Sequence, residues 1–198
     1  MIHISLQTVT EQLYALINRE ASARGHLIVA MDGRCASGKT TVATELARRL
    51  DAELIHMDDF FLRPEQRTPE RLAAPGGNVN YERFLEEVLE PLRRGESASY
   101  RPYSCATQTL GEPVAVDAKS VILVEGSYAC HPQLREYYDL RVFLTVDPDE
   151  QMRRLYARNG AYAEVFRERW IPLEEAYFRA CRVMECCHAV MKTDDEEK

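Results

Sequence analysis

The sequence predicts an α/β fold in which a parallel sheet is flanked by helices. Residues 27–31 form a wholly apolar run, the pattern of a strand buried on both faces of a parallel sheet. A glycine-rich string, Gly33–Thr40, follows this run and leads into a helical pattern over residues 41–50. Apolar runs of the same kind recur at 121–124 and 140–146. Strands that alternate with helices in this way indicate a parallel sheet.

Composition limits the class of protein and its partners. The 198 residues are 45% hydrophobic and 29% charged, which is typical of a single globular domain. A net charge of −7 argues against a nucleic-acid partner, because such a surface needs a basic face. No apolar run approaches the roughly 20 residues of a membrane helix, and the first residues lack a signal-peptide core. We therefore expect a cytoplasmic protein without a membrane partner, and formation of a homo-oligomer is left open.

The six cysteines show no spacing typical of a zinc site. Cys181, Cys186 and Cys187 cluster beside His188, and reduced thiols are the expectation, with a metal site as the alternative. Cys35 lies inside the glycine-rich string, so its sensitivity to oxidation is a hypothesis that rests on position alone.

The glycine-rich string fits a phosphate-binding loop: a glycine, four free positions, then Gly, Lys and Ser or Thr. Gly33 and Gly38 allow a positive φ and a close approach of backbone amides to a polyphosphate. Lys39 would place a positive charge near the β- and γ-phosphates, and Thr40 would offer a hydroxyl to Mg²⁺. The alternative, a glycine-rich turn with a solvated lysine, leaves Lys39 and Thr40 together unexplained. The predicted nucleotide contacts are Gly33, Arg34, Cys35, Ala36, Ser37, Gly38, Lys39, Thr40 and Thr41.

The first part of the chain contains a predicted helix and a short strand that ends beside two aspartates. An amphipathic helix over residues 5–24 precedes the first strand and is ended by Gly25. A short strand at 54–57 leads into Asp58 and Asp59, and open α/β sheets bind ligands where their strands end. Because adjacent residues on an extended chain point in opposite directions, one carboxylate could face the site as a general base or Mg²⁺ partner. The alternative is a solvated turn with an acidic cap.

The middle of the chain is less regular. Residues 62–80 read as a loop, and residues 81–94 read as a helix whose last turn Pro91 should kink. Residues 97–117 read as a small hairpin inserted over one edge of the sheet. The strand at 121–124 ends at Glu125. For this carboxylate we favour contact with Mg²⁺ through water, and the alternative is a simple charge at the end of a strand.

The last part of the chain begins with a helix after Asp147 that should turn Met152, Leu155 and Tyr156 inward. Arginines on its other sides either clamp phosphoryl groups or form an ordinary solvated face. A helix over 173–185, a short strand at 189–191 and a frayed charged tail at 194–198 complete the prediction. The arginines in question are Arg153, Arg154 and Arg158.

Taken together, the motifs resemble the uridine kinase and nicotinamide riboside kinase group of P-loop kinases. The likeness covers about residues 27–169 in the same order, through the strings GRCASGKTT, MDDFF, NVNYERF, RPY, VILVEG and LRVFLTVDPDEQMRRLYARNG. It implies the P-loop NTPase fold as a single kinase domain over residues 1–198. That domain would comprise an N-terminal helix (1–25), the hairpin insertion (97–117) and a lid (153–170), and it would use ATP and Mg²⁺.

The resemblance also implies roles for individual residues. Asp58 would be the base that accepts the proton of the acceptor hydroxyl, and Lys39 would hold phosphates. Arg154 and Arg158 match the lid arginines that approach the transferring phosphate. The implied metal set is Thr40, Glu125 and Asp58.

The acceptor half departs from this family. Asn80 stands where uridine kinases have an aspartate that binds ribose hydroxyls, and Gln108 stands where a histidine reads the pyrimidine, whereas Tyr103 is retained. The implied acceptor set is Asp58, Asn80, Tyr103 and Gln108. The predicted function is ATP-dependent phosphorylation of a hydroxyl on a nucleoside-like small molecule. The alternatives are a kinase for pantothenate or a sugar phosphate, and a nucleotide-binding switch, for which no NKxD guanine motif is found.

Overall fold

The structure is a computed structural model that describes residues 5–193. The first four residues and the tail predicted at 194–198 lie outside the described residues. The strands within 5–193 are β1 Leu27–Gly33, β2 Glu53–His56, β3 Ala98–Tyr100, β4 Tyr103–Ser104, β5 Thr109–Leu110, β6 Val114–Val116, β7 Val121–Glu125, β8 Leu140–Thr145 and β9 Ala189–Lys192. The helices are α1 Leu6–Arg24, α2 Lys39–Leu50, α3 Pro69–Ala73, α4 Tyr81–Phe84, α5 Glu90–Arg93, α6 Pro148–Asn159, α7 Ala163–Val165, α8 Ile171–Ala180 and α9 Val183–Cys186.

The central sheet contains five parallel strands in the order β2, β7, β1, β8, β9. All seven residues of β1 are buried, as expected for a strand covered on both faces. Ile28 and Ala30 pack into one helical layer. Val29 and Met31 pack into the other, because successive side chains of a strand point to opposite faces. The predicted fold class, a parallel sheet flanked by helices, is confirmed.

Helices cover both faces of this sheet. On one face α1 and α2 contribute the buried side chains of Leu13, Ile17 and Leu46. On the other face the segment from α4 to α5 and helix α8 contribute Phe84 and Tyr177. Within residues 5–193, none of the helices combines the length and the apolar character needed to cross a membrane.

The predicted hairpin insertion is present as two short antiparallel pairs, β3 with β6 and β4 with β5. Its strands lie between residues 98 and 116, so they fall inside the predicted segment. The hydroxyl of Tyr100 donates to Asp59 Oδ2 at 2.8 Å, which fastens the hairpin to the turn that follows β2. The hairpin therefore stands beside the end of an edge strand of the sheet.

The helix predicted over 81–94 contains a π turn, Leu85–Leu89, between α4 and α5. At the end of this turn the amide of Glu90 donates to the carbonyl of Leu85, five residues back. Pro91 has no amide hydrogen and cannot continue the usual ladder, which explains a widened turn directly before it. The irregularity expected from Pro91 thus begins one turn earlier than predicted.

Three local expectations are wrong. Tyr156 does not point inward but is exposed, and Gln151 takes the inward position beside Leu155 because it reaches the phosphate-binding loop. The helix predicted over 173–185 ends at Ala180, since Arg182 adopts a left-handed conformation and the chain turns to bring β9 beside β8. The segment 62–80 is not wholly a loop, because it contains α3.

Candidate active site

The site lies at the carboxyl ends of three neighbouring strands, β1, β7 and β2. Glu125, the last residue of β7, is in register with Met31 on one side and with His56 on the other. The phosphate-binding loop follows β1, and Asp58 follows β2. Because parallel strands end at the same edge, side chains far apart in sequence meet there.

The phosphate-binding loop has the backbone that its glycines predict. Gly33 has φ +142° and Gly38 has φ +89°, and a Cβ on Gly33 would lie 1.9 Å from the carbonyl oxygen of Leu144. Helix α2 begins at Lys39, so the positive end of its dipole and its free amides face the loop. The loop therefore has the geometry of an anion-binding site.

Lys39 is 8% exposed and turns back over the loop. Its Nζ donates to the carbonyls of Gly33 at 2.7 Å and Arg34 at 2.8 Å. These bonds hold the ammonium group at the mouth of the loop, where phosphate oxygens would meet it.

A hydroxyl and a carboxylate meet next to Lys39. Thr40 Oγ1 lies 3.2 Å from both oxygens of Glu125, and His56 Nδ1 lies 2.6 Å from Glu125 Oε1. The hydrogen bond to Glu125 raises the pKa of His56, which favours its protonated form. No group of three His, Cys, Asp or Glu side chains gathers as a metal cluster within residues 5–193. The oxygen ligands present suit Mg²⁺, which keeps several waters and takes phosphate oxygens as ligands.

Asp58 and Asp59 occupy one turn of 3-10 helix, Met57–Phe60, directly after β2. Asp58 lines the cavity in front of the loop, whereas Asp59 bonds to Tyr100 of the hairpin. Burial raises the pKa of Asp58, nearby Lys39 opposes this, and the charges of Glu125 and Glu174 raise it further. A carboxylate whose pKa is raised in this way is a stronger proton acceptor than an ordinary surface aspartate.

The cavity has a volume of about 1110 Å³. Its wall is formed by the phosphate-binding loop, by the segment after β2 and by the region from α6 to α8. Arg154 and Arg158, the predicted lid arginines, both line it. The structure thus brings Asp58, Lys39, Thr40 and Glu125 together with both arginines around one space.

The two lid arginines differ in what they contact. Arg154 donates to Glu150 at 2.6 Å and to the carbonyl of Ala36 in the phosphate-binding loop at 3.2 Å. Arg158 is exposed, donates to Asn159 at 2.8 Å and lies over the ring of Phe166. Arg154 therefore supports the loop, whereas Arg158 lies on the open part of the cavity wall.

Three predicted acceptor residues do not line the cavity. Asn80 is 7% exposed, and its Oδ1 accepts the amide of Arg83 as the cap of α4. Tyr103 is buried, and its hydroxyl accepts from Arg67 at 3.4 Å. Gln108 is an exposed residue of the hairpin tip with φ +57°. In this structure these three side chains stand outside the cavity wall.

Sequence reasoning missed Glu174 of α8. It is 5% exposed, lines the cavity and accepts hydrogen bonds from the Cys35 amide at 3.0 Å and from Ser127 Oγ at 2.5 Å. Its neighbour Glu175 pairs with Arg34 through two hydrogen bonds. No local pattern distinguishes these glutamates from ordinary helix residues.

The thiols do not form an evident reactive centre. Burial first, and then the negative charge of Glu174, raise the pKa of Cys35 to about 12, so the thiol stays protonated. This argues against the oxidation hypothesis, because the thiolate is the reactive form. In the cysteine cluster, Cys187 Sγ lies 4.0 Å from Cys130 Sγ, a residue that the sequence pattern did not include.

Comparisons with known proteins find relatives over most of the chain. Residues 27–162 match the model of the phosphoribulokinase / uridine kinase family. The chain is 29% identical over 153 residues to uridine-cytidine kinase B of Dictyostelium discoideum, which covers 73% of this chain and 63% of that protein. It is 28% identical over 145 residues to uridine kinase of Staphylococcus haemolyticus, which covers 67% and 68%. The chain thus spans less than two thirds of the length of the Dictyostelium relative.

A solved structure supports the fold. A protein from Bacillus stearothermophilus, described as a possible uridine kinase, superposes with a TM-score of 0.66 at 20% identity. The superposition covers 92% of this chain and all of that one. At this identity the likeness bears on the fold alone.

Proposed function

Because the chain belongs to the phosphoribulokinase / uridine kinase family, we propose that it is an ATP-dependent kinase for a hydroxyl of a nucleoside-like small molecule. One observation carries this proposal: the carboxylate of Asp58, with its raised pKa, shares a cavity with Lys39, Thr40 and Glu125. A nucleotide-binding switch has no need of a carboxylate base beside its phosphate site.

The proposed reaction is a direct phosphoryl transfer. The acceptor oxygen forms a bond to the γ-phosphorus of ATP, the bond from that phosphorus to the β–γ bridging oxygen breaks, and ADP leaves. The proton of the acceptor hydroxyl passes to Asp58. The chain must therefore align the two oxygens and stabilise the charge between them.

The phosphate side of this reaction rests on the loop and its neighbours. Amides of the loop and Lys39 would hold the β- and γ-phosphates. Thr40 and Glu125 would hold Mg²⁺, directly or through water, with Asp58 as a further candidate. When bound there, Mg²⁺ would neutralise negative charge on the phosphate oxygens.

The two lid arginines would stabilise negative charge on the transferring phosphate and support the phosphate-binding loop. Arg158 lies on the open wall of the cavity and would approach the transferring phosphate when the lid, residues 153–170, closes. Arg154 already contacts the loop carbonyl of Ala36, so it would keep the loop in shape while it adds positive charge. Closure would also exclude water, which competes with the acceptor.

The nature of the acceptor is supported by relatives rather than by contacts. The relatives from Dictyostelium discoideum and Staphylococcus haemolyticus are named uridine-cytidine kinase B and uridine kinase. These names favour a nucleoside-like molecule as the acceptor. Tyr103 would influence the acceptor by orienting Arg67, and Asn80 by fixing the start of α4. For Gln108 the structure offers no contact with the cavity. We further propose a cytoplasmic enzyme that acts on small molecules, in keeping with a net charge of −7.

A transfer assay tests this proposal. Purified protein with MgATP is offered a panel of nucleosides, vitamins and sugars, and ADP formation is measured together with the phosphorylated product by ³¹P NMR. We expect a nucleoside-like compound to be phosphorylated on a hydroxyl. Turnover of pantothenate or a sugar phosphate alone would contradict the nucleoside-like acceptor, and no product from any compound would contradict the kinase.

A further inference from the structure

We propose that the acceptor carries, besides its hydroxyl, an anionic group that binds to Arg67. The proposal rests on the proposed kinase function, since it concerns the acceptor half of the same cavity. Arg67 lines that cavity together with Asp58. It belongs to the segment after β2, and nothing in the sequence pattern marked it.

Arg67 is positioned by neutral partners. Its Nε donates to the carbonyl of Leu62 at 3.0 Å, and its Nη2 donates to the hydroxyl of Tyr103 at 3.4 Å. These contacts join the segment after β2 to the hairpin and fix the direction of the guanidinium. Neither partner carries a negative charge, so the positive charge of Arg67 is not balanced by them.

No carboxylate compensates Arg67 either. Within residues 5–193 it forms no ion pair, although nearby Arg63 pairs with Glu65 and Arg71 pairs with Glu82. The lining of the cavity also includes the apolar side chains of Phe61, Leu62 and Leu72, and Arg67 itself contacts the carbonyl of Leu62. A hydrogen bond from a guanidinium to a carboxylate or a phosphate is charge-assisted and therefore stronger than one between neutral groups.

Arg67 is also distinct from the cations of the phosphate side. The other cations that line the cavity in the described part of the chain belong to the phosphate-binding loop or to the region from α6 to the start of α8. They are Lys39, Arg154, Arg158 and Arg169. Arg67 therefore places a positive charge on the part of the cavity wall that the segment after β2 forms.

Arg67 and Asp58 line the same cavity. The thiol of Cys105 lies close enough to both that Arg67 lowers its pKa and Asp58 raises it, although burial dominates. A ligand can thus present its hydroxyl to Asp58 and its anionic end to Arg67. A carboxylate and a phosphate both match the planar, forked guanidinium.

Pairs of compounds that differ by one anionic group test the proposal. The pairs are uridine with uridine 3′-monophosphate, uridine with orotidine, and pantothenol with pantothenate, assayed with MgATP. We expect kcat/KM to favour an anionic member by about tenfold to a hundredfold, the factor that corresponds to a charge-assisted hydrogen bond. The phosphate and carboxylate pairs show which anion the site prefers.

Variants connect this preference to Arg67. Arg67→Gln should raise KM for the anionic member far more than for its neutral counterpart, and Arg67→Lys should restore part of the preference. The matched control is Arg63→Gln, an exposed arginine of the same segment that does not line the cavity. The proposal is overturned if kcat/KM for the neutral member equals that for the anionic member. It is also overturned if Arg67→Gln raises KM for both members equally.

Calorimetric titration of the same pairs into MgADP-loaded protein separates this inference from the kinase proposal. Transfer without an anion preference overturns the anion site and leaves the kinase. Arg67-dependent binding of anionic members without any transfer overturns the kinase and leaves the anion site. Absence of both transfer and anion preference overturns both.

Discussion

At the scale of single residues, the charge around Asp58 sets how well it can act as a base. Desolvation raises the pKa of Asp58 most, the positive charge of Lys39 lowers it, and the negative charges of Glu125 and Glu174 raise it. Glu174 has a second contact, since it accepts the amide of Cys35 in the phosphate-binding loop. One helix residue thus influences both the proton acceptor and the phosphate site.

The pH dependence of kcat/KM should show this influence. A protonated Asp58 cannot accept a proton, so activity falls at acidic pH, and its raised pKa places that fall above the range of an ordinary aspartate. Glu174→Gln removes a negative charge, lowers the pKa of Asp58 and moves the acidic limb to lower pH. The profile of kcat/KM is the measurement, because it reports pKa values of the free enzyme.

The matched control is the adjacent substitution Glu175→Gln. Glu175 pairs with Arg34 and does not line the cavity. In Glu175→Gln the value of kcat/KM can therefore change, but the acidic limb of its pH profile should keep its position. A shift of the limb to higher pH in Glu174→Gln, or equal shifts in both variants, would contradict the assignment of Asp58.

Single-residue predictions from sequence worked where a motif or a strand end marked the position. Asp58 and Glu125 were found because each stands at the end of a predicted strand. Glu174 was missed because its contact with Cys35 spans 139 residues, and Arg67 because nothing local distinguishes it from other arginines. Packing between distant segments, which local patterns do not report, decides such contacts.

At the scale of elements, the phosphate-binding loop is held from outside by three side chains. Gln151 of α6 donates to the carbonyl of Cys35 at 2.9 Å, and Thr193 donates to the carbonyl of Ser37 at 2.6 Å. Arg154 donates to the carbonyl between them. Because these carbonyls have partners on the outer side, the loop is held in one shape before a phosphate binds.

Gln151→Ala should weaken binding of MgATP by about fivefold. The substitution removes one hydrogen bond of about 1 kcal/mol and leaves the Cys35 carbonyl without that donor. The dissociation constant from calorimetric titration is the measurement, and Gln133→Ala, at an exposed position, is the matched control. Equal affinity of the Gln151 variant and wild type would show that the loop does not need this support.

Elements with a strong pattern were predicted well, and those shaped by distant packing were not. The runs 27–31 in β1 and 121–124 in β7 are wholly apolar, so the burial of these strands on both faces could be predicted. The helix predicted over 173–185 is interrupted at Arg182, where the sequence contains neither glycine nor proline. The interruption allows β9 to pair with β8.

At the scale of the whole molecule, the strand order explains why the chemistry gathers at one edge. β7 lies between β1 and β2, so Glu125 stands between the phosphate-binding loop and Asp58. The sequence predicts each strand but not this order, because periodicity carries no information on which strands pair. The family match over residues 27–162 confirms the resemblance that the motifs indicated.

The central claim, that this cavity transfers a phosphoryl group with Asp58 as its base, is tested most directly by Asp58→Asn. Asparagine keeps the size of the side chain but cannot take up the proton, so turnover of the acceptor found in the panel should fall by about 10² to 10⁴-fold. Binding of MgATP, measured by calorimetric titration of the same variant, should stay near the wild-type value. Undiminished turnover, or loss of turnover only in proportion to lost MgATP binding, would contradict the claim.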